Sequence, residues 1–100
     1  SCNVQVAAVL SDYRGVIFSW GWNHAGCDGN GAHAEEVAFN RANRKRLKGS
    51  ILTVIGKRRR NNRWVHARPC EARCLLLARK HGVKAIQYIT KSGEWIVEPL

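Results

Sequence analysis

His33, Glu35, Cys70 and Cys74 are the residues of this chain whose types and spacing can do chemistry together. Imidazole and thiolate are common donors to zinc, and a catalytic zinc often takes three protein ligands and keeps a fourth position for water. Cys70 and Cys74 are four residues apart, so on a helix they share a face and both sulfurs can reach one ion. A helix start favours thiolates through its unpaired N–H groups and dipole, and Pro69 suits the first turn of such a helix. Glu35 is read as a proton shuttle rather than a ligand: it would take a proton from metal-activated water and return it to a ring nitrogen and the leaving amine. Glu36 would project about 100° further round the helix and is read as solvated. A structural zinc site, or buried thiols beside a helix cap, is the other reading of the same residues.

The elements that must position these groups are legible from hydrophobic period. Val4 to Leu10 is nearly continuous apolar sequence, Ser11 to Gly15 is turn material, and Val16 to Trp22 is β-branched and aromatic, so the two runs predict an antiparallel hairpin. Trp20 and Trp22 alternate with Gly21 and are read as packing residues on one sheet face. The glycine- and asparagine-rich segment Asn23 to Gly31 is a loop. From Ala32 the period becomes helical and is expected to run to Lys48-Gly49; Ile51 to Ile55 then suits a central strand. A basic loop, Gly56 to Asn62, leads into Trp64-Val65-His66 and on to the second helix, which Pro69 opens, Leu75 to Ala78 anchor and Gly82 ends. Ala85 to Thr90 and Glu94 to Glu98 are strands joined by Lys91-Ser92-Gly93. Three residues cannot make a parallel crossover, so these strands must be antiparallel. The expected fold is α/β: one five-stranded mixed sheet with both helices on one face and a hairpin at the end, in a single domain, 1–100.

Composition narrows the partners. Seventeen Lys and Arg against seven Asp and Glu give a net charge of +10, and ten of the basic residues fall between Arg41 and Arg63 with no acid among them. Such a field attracts polyanions, with salt-dependent binding, whereas a surface built only for solubility mixes the signs. Nucleic acid is the expected partner, DNA ahead of RNA. An acidic inhibitor or immunity protein is left open, no membrane is involved, and the chain is expected to be monomeric. No stretch approaches the roughly 20 apolar residues of a membrane span, and no signal peptide is visible. The expected site of action is the cytoplasm, with delivery from a secreted precursor left open. Four cysteines could form two disulfides, but the tight Cys70/Cys74 pair, far from Cys2 and Cys27, argues for metal binding instead.

At Ala32-His33-Ala34-Glu35 and Pro69-Cys70-Glu71-Ala72-Arg73-Cys74 the sequence resembles the zinc-dependent cytidine deaminase superfamily, which carries His-x-Glu at one helix start and Pro-Cys-x-x-Cys at the next. Thirty-three residues separate Glu35 from Pro69, a comfortable spacing for that fold. The resemblance implies one catalytic zinc on His33, Cys70 and Cys74, with Glu35 moving protons during hydrolysis of cytosine to uracil. One departure stands out: three residues lie between the cysteines where two are usual, so the first turn is expected to be wound differently, and Cys27 is held as a substitute ligand. The terminal hairpin resembles free cytidine deaminases and bacterial or phage deaminases, including toxin domains that edit cytosine in DNA. Free cytidine deaminases typically have cysteine where this chain has His33, which tilts the resemblance toward the nucleic-acid enzymes.

That resemblance also implies substrate contacts. Asn23 matches an asparagine that touches the sugar in relatives, and the Ala34 and Cys70 amides would hold the pyrimidine O2. Trp64 and His66 could stack on a flipped or neighbouring base, with Arg68 beside the site. Lys57, Arg58, Arg59, Arg60, Arg63 and Arg73 are the expected backbone contacts. The alternative substrate is a free cytidine or deoxycytidine nucleotide.

Overall fold

A computed structural model describes residues 4–23 and 33–100. Five strands, β1 (Val4–Ser11), β2 (Ile17–Trp22), β3 (Ile51–Arg58), β4 (Ala85–Ile89) and β5 (Trp95–Pro99), form one mixed sheet in the order β2-β1-β3-β4-β5. β1 pairs antiparallel with both β2 and β3, β3 pairs parallel with β4, and β4 pairs antiparallel with β5, as the short last turn requires. The β1–β2 turn is held by Asp12, whose Oδ1 accepts the N–H groups of Arg14 (2.9 Å) and Val16 (3.0 Å).

This order decides where chemistry can gather. β2 and β3 are both antiparallel to β1 and therefore run the same way, and β4 runs with them. Helix α1 (Ala34–Arg41) lies between β2 and β3 in the chain, and α2 (Cys74–Lys80) between β3 and β4. Both helices therefore start from the edge where parallel strands end, a position where ligands commonly bind in α/β sheets.

Alternation along the strands sends Ala8 and Leu10 of β1, Leu52 and Val54 of β3 and Ile86 and Tyr88 of β4 to one face, where they form a single buried cluster with Ala34, Ala38, Leu75 and Ala78 of the helices. Fully burying one such aliphatic side chain stabilises the fold by about 1.5–3 kcal/mol. Gly21 lets α1 come down onto β2: a Cβ there would lie 2.6 Å from the Ala34 oxygen and 2.7 Å from the Ala38 nitrogen. Trp20 and Trp22 point the other way and are 55% and 48% exposed, so they are not the packing residues their pattern suggested.

Two helix boundaries differ from the expectation. α1 stops at Arg41, not Gly49, because Ala42 is extended and the Asn43 side chain accepts the Lys45 N–H, which caps a separate 3-10 turn at Arg44–Arg46. α2 begins at Cys74, not at Pro69; the Leu75 N–H reaches back five residues to the Cys70 carbonyl at 2.9 Å. A turn of that width absorbs one residue more than an α-helical turn, which is how three spacer residues fit between the cysteines. β3 runs on to Arg58, so Gly56, Lys57 and Arg58 belong to the strand and not to the loop expected from Gly56, because they continue the pairing with β1, and Trp64 bridges back to Lys57.

Candidate metal centre

His33 caps the start of α1, Cys70 ends the extended segment after β3, and Cys74 opens α2. The segment that delivers Cys70 is laid along the sheet edge by two backbone bonds, Val65 N–H to Gly56 (3.0 Å) and Ala67 N–H to Ile89 (3.0 Å). His33 Nδ1 lies 3.3 Å from Cys74 Sγ and 3.8 Å from Cys70 Sγ, and the three donor atoms all fall within 4.8 Å of one another. Tetrahedral bonds of about 2.0 Å to nitrogen and 2.3 Å to sulfur place such donors roughly 3.6 Å apart, so the set fits a zinc ion. It is the one group of three or more candidate ligands among the described residues. Cys2 and Cys27 lie outside the described residues, so the substitute role considered for Cys27 is not addressed.

Glu35 is 6% exposed and sits against the Cys74 thiol. Burial pushes its carboxyl pKa up, opposed in part by its own backbone N–H, by Cys74 and by His33. A carboxyl held this way gives up a proton less readily than a solvated one, as a proton shuttle requires. Burial also pushes the Cys74 thiol up, and the Glu35 charge adds to it. A metal ion is the group that reverses this, because it binds the thiolate form.

Glu36 is not simply solvated. Its Oε1 accepts the His33 N–H at 3.2 Å, and its Oε2 accepts from Arg73 Nε at 2.8 Å. Its place three residues after the helix-capping position was the signal for this role. Arg68 donates through Nε and Nη2 to Glu98 of β5 at 2.8 and 3.0 Å, while Nη1 pairs with Glu71 at 3.0 Å. Arg68 and Arg73, two of the arginines expected to meet substrate, thus have protein carboxylates as partners. Tyr88 donates to the same Glu98 at 2.5 Å and takes the edge of the His66 ring, joining His66 to this network. Glu98 and Tyr88 went unread in the sequence; the signal was one acid in the otherwise apolar run Trp95 to Glu98.

The Glu98 network carries a pH dependence. Hydrogen bonds from Arg68, then Tyr88, hold the Glu98 carboxyl at about 2, below its ordinary 4.5. A depressed folded-state pKa stabilises the fold above the unfolded value, and the benefit is lost as pH falls from near 4.5 toward 2. In metal-free protein, Glu98→Gln should lower the thermal midpoint at pH 7 and converge with wild type near pH 2. A gap that stays constant between pH 7 and pH 3 would contradict this ion pair.

The remaining sequence candidates divide. Asn23 spans the end of β1, accepting from Val6 N–H at 2.9 Å and donating to the Val4 carbonyl at 2.8 Å. Ala34 is buried, and as the first residue of α1 its N–H has no intrahelical partner. Alternation splits the basic run that begins at the end of β3. Lys57 and Arg59 line a cleft of about 300 Å³ with Trp22 and Asn23; Arg58 and Arg63 line another of about 370 Å³ with Trp64, His66 and Lys91. Lys57 also lies over the Trp64 ring, 4.4 Å from its centroid. Arg60 is exposed on the same loop.

The family profile of the cytidine and deoxycytidylate deaminase zinc-binding region matches residues 1–90. The chain belongs to this family. Zinc is accordingly the metal of this family member, and His33, Cys70 and Cys74 are the residues able to hold it. A solved dCMP deaminase from the cyanophage S-TIM5, in apo form, is similar over 85% of this chain with a TM-score of 0.60 and 25% identity. The chain spans 65% of that protein's length. No curated protein matches it. No helix among the described residues is long and apolar enough to cross a membrane.

Proposed function

We propose that this zinc-binding deaminase family member hydrolyses cytosine to uracil within nucleic acid, with single-stranded or locally opened DNA as substrate. Zinc, when bound, supplies the Lewis acidity that makes water a nucleophile near neutral pH. Glu35 takes one proton from this water and delivers it to N3 of the ring as the water oxygen bonds to C4, then takes the second proton from the new C4 hydroxyl and delivers it to the 4-amino group. The bond from C4 to the exocyclic nitrogen breaks, ammonia leaves, and the water oxygen remains as the C4 carbonyl of uracil. The Ala34 N–H faces the pyrimidine carbonyl. Glu35 is buried, which keeps the proton it carries from bulk solvent.

The observation that carries the polymer reading is the cleft of about 370 Å³ at the same sheet edge as the metal ligands. Arg58, Arg63 and Lys91 line it without an acidic residue, and none of the three is ion-paired among the described residues. Trp64 and His66 line the same cleft beside those charges, Trp64 with Lys57 over its ring and His66 against Tyr88, and single-stranded nucleic acid is bound by such pairings of cations with aromatic rings. Such action lies in the cytoplasm, and an acidic inhibitor or immunity protein could neutralise the same edge. A free-nucleotide substrate is the second reading, favoured by the likeness to a phage dCMP deaminase.

Mass-detected product formation on single-stranded DNA, duplex DNA, RNA and free nucleotides, at 50 and 200 mM salt, separates them. Three phosphate contacts to a single strand predict an affinity loss of about 20-fold across that range. Oligonucleotide turnover should fall accordingly and exceed that of dCMP. Equal kcat/KM for dCMP and an oligonucleotide, insensitive to salt, would overturn the polymer reading.

A further inference from the structure

The wide turn before α2 leaves Arg73 outside the helical region, at φ −138° and ψ −68°, with its guanidinium against the start of α1. One carboxylate joins the two helix starts: Glu36 accepts the backbone N–H of His33 on one oxygen and Arg73 Nε on the other. His33 is one ligand of the metal set, and Arg73 immediately precedes another, Cys74. We propose that Glu36 and Arg73 are positioning residues for the metal: their ion pair sets the spacing of the two helix starts, and Arg73 is the use made of the third residue between the cysteines.

The need for such a tie follows from topology. His33 and Cys74 open separate helices that follow separate strands, yet their donor atoms must stay 3.3 Å apart. Arg68 anchors the other side of Cys70 to β5 through Glu98, so each cysteine has a guanidinium-to-carboxylate tie within two residues. The Arg73 side chain is 50% exposed and that of Glu36 19%, and pairs this open contribute little to global stability. Their effect should therefore be read in metal affinity, where partners of ligand-bearing segments commonly matter about 10- to 100-fold. None of this depends on which cytosine substrate is used.

Chelator competition measures the zinc affinity of wild type, Arg73→Ala, Arg73→Lys, Glu36→Gln and the double variant Arg73→Ala/Glu36→Gln. Arg73→Ala should weaken zinc about tenfold, while Arg73→Lys, which keeps the charge, recovers most of the loss. The double variant should be no worse than the weaker single one, because both substitutions break one interaction. Cobalt-loaded Arg73→Ala should show shifted ligand-field bands, and the metal-free unfolding midpoint should match wild type. Unchanged zinc affinity, additive losses in the double variant, or a lowered metal-free midpoint would each overturn the proposal. So would an effect of Arg73→Ala confined to KM for oligonucleotides, which would make Arg73 a phosphate contact.

Discussion

Glu35→Gln should leave a folded, zinc-loaded protein whose kcat for deamination is lower by about 10³-fold, within the range that positioned acid–base groups contribute. The amide has nearly the shape of the carboxylate and keeps a hydrogen-bonding oxygen, but it cannot accept and return a proton. Glu35 is buried against Cys74 and its pKa is raised by that burial, so it holds a proton more tightly than an exposed glutamate does. Because the substitution removes an interaction made during the reaction rather than on binding, KM should change little. Steady-state kinetics, metal content and thermal unfolding of one preparation test all three statements. A kcat within about tenfold of wild type would remove Glu35 from the chemistry, and loss of zinc would mean that it supports the centre instead.

How the site was legible follows from what local sequence encodes. The ligands and Glu35 sit at the starts of two helices, and period, loop composition and Pro69 were enough to locate those starts within a few residues. The antiparallel pairing of the last two strands followed from one local fact, the three-residue turn Lys91 to Gly93, whereas the order of the strands across the sheet was not read from the sequence. What local pattern could not supply was partnership across the chain. Arg68 and Arg73 read as free cations because their carboxylates, Glu98 and Glu36, are 30 and 37 residues distant and meet them only after the sheet has formed. The length of α1 was misjudged for a related reason. The residues from Asn40 to Lys48 are compatible with helix by period, but Asn43 satisfies a backbone N–H with its own side chain and restarts the chain in a new direction. The exposed tryptophans show the same limit: alternation places Trp20 and Trp22 on a common face but does not say which face is covered.

Gly21→Ala should be among the most damaging single-methyl changes in this chain, with a stability loss of about 3 kcal/mol, the upper part of the usual range for overpacking. For a domain of this size that corresponds to a fall in Tm of roughly 12–24 °C. The added carbon would meet backbone atoms of α1, the Ala34 oxygen at 2.6 Å and the Ala38 nitrogen at 2.7 Å, as well as Val37 Cβ at 2.8 Å, so no side-chain rotation relieves it. The helix itself must lift from β2. Because His33 and Glu35 stand at its first turn, lifting it also carries Nδ1 away from Cys74 Sγ, and zinc affinity should fall together with stability. Gly15→Ala separates steric from conformational cost: its φ of +81° strains any side chain, but nothing lies within 4 Å of the new carbon. That variant should lose about 1 kcal/mol and keep its zinc affinity. If Gly21→Ala melted within about 3 °C of wild type, less than 1 kcal/mol on the same scale, with zinc binding intact, the close descent of α1 onto β2 could not be what holds His33 at the metal.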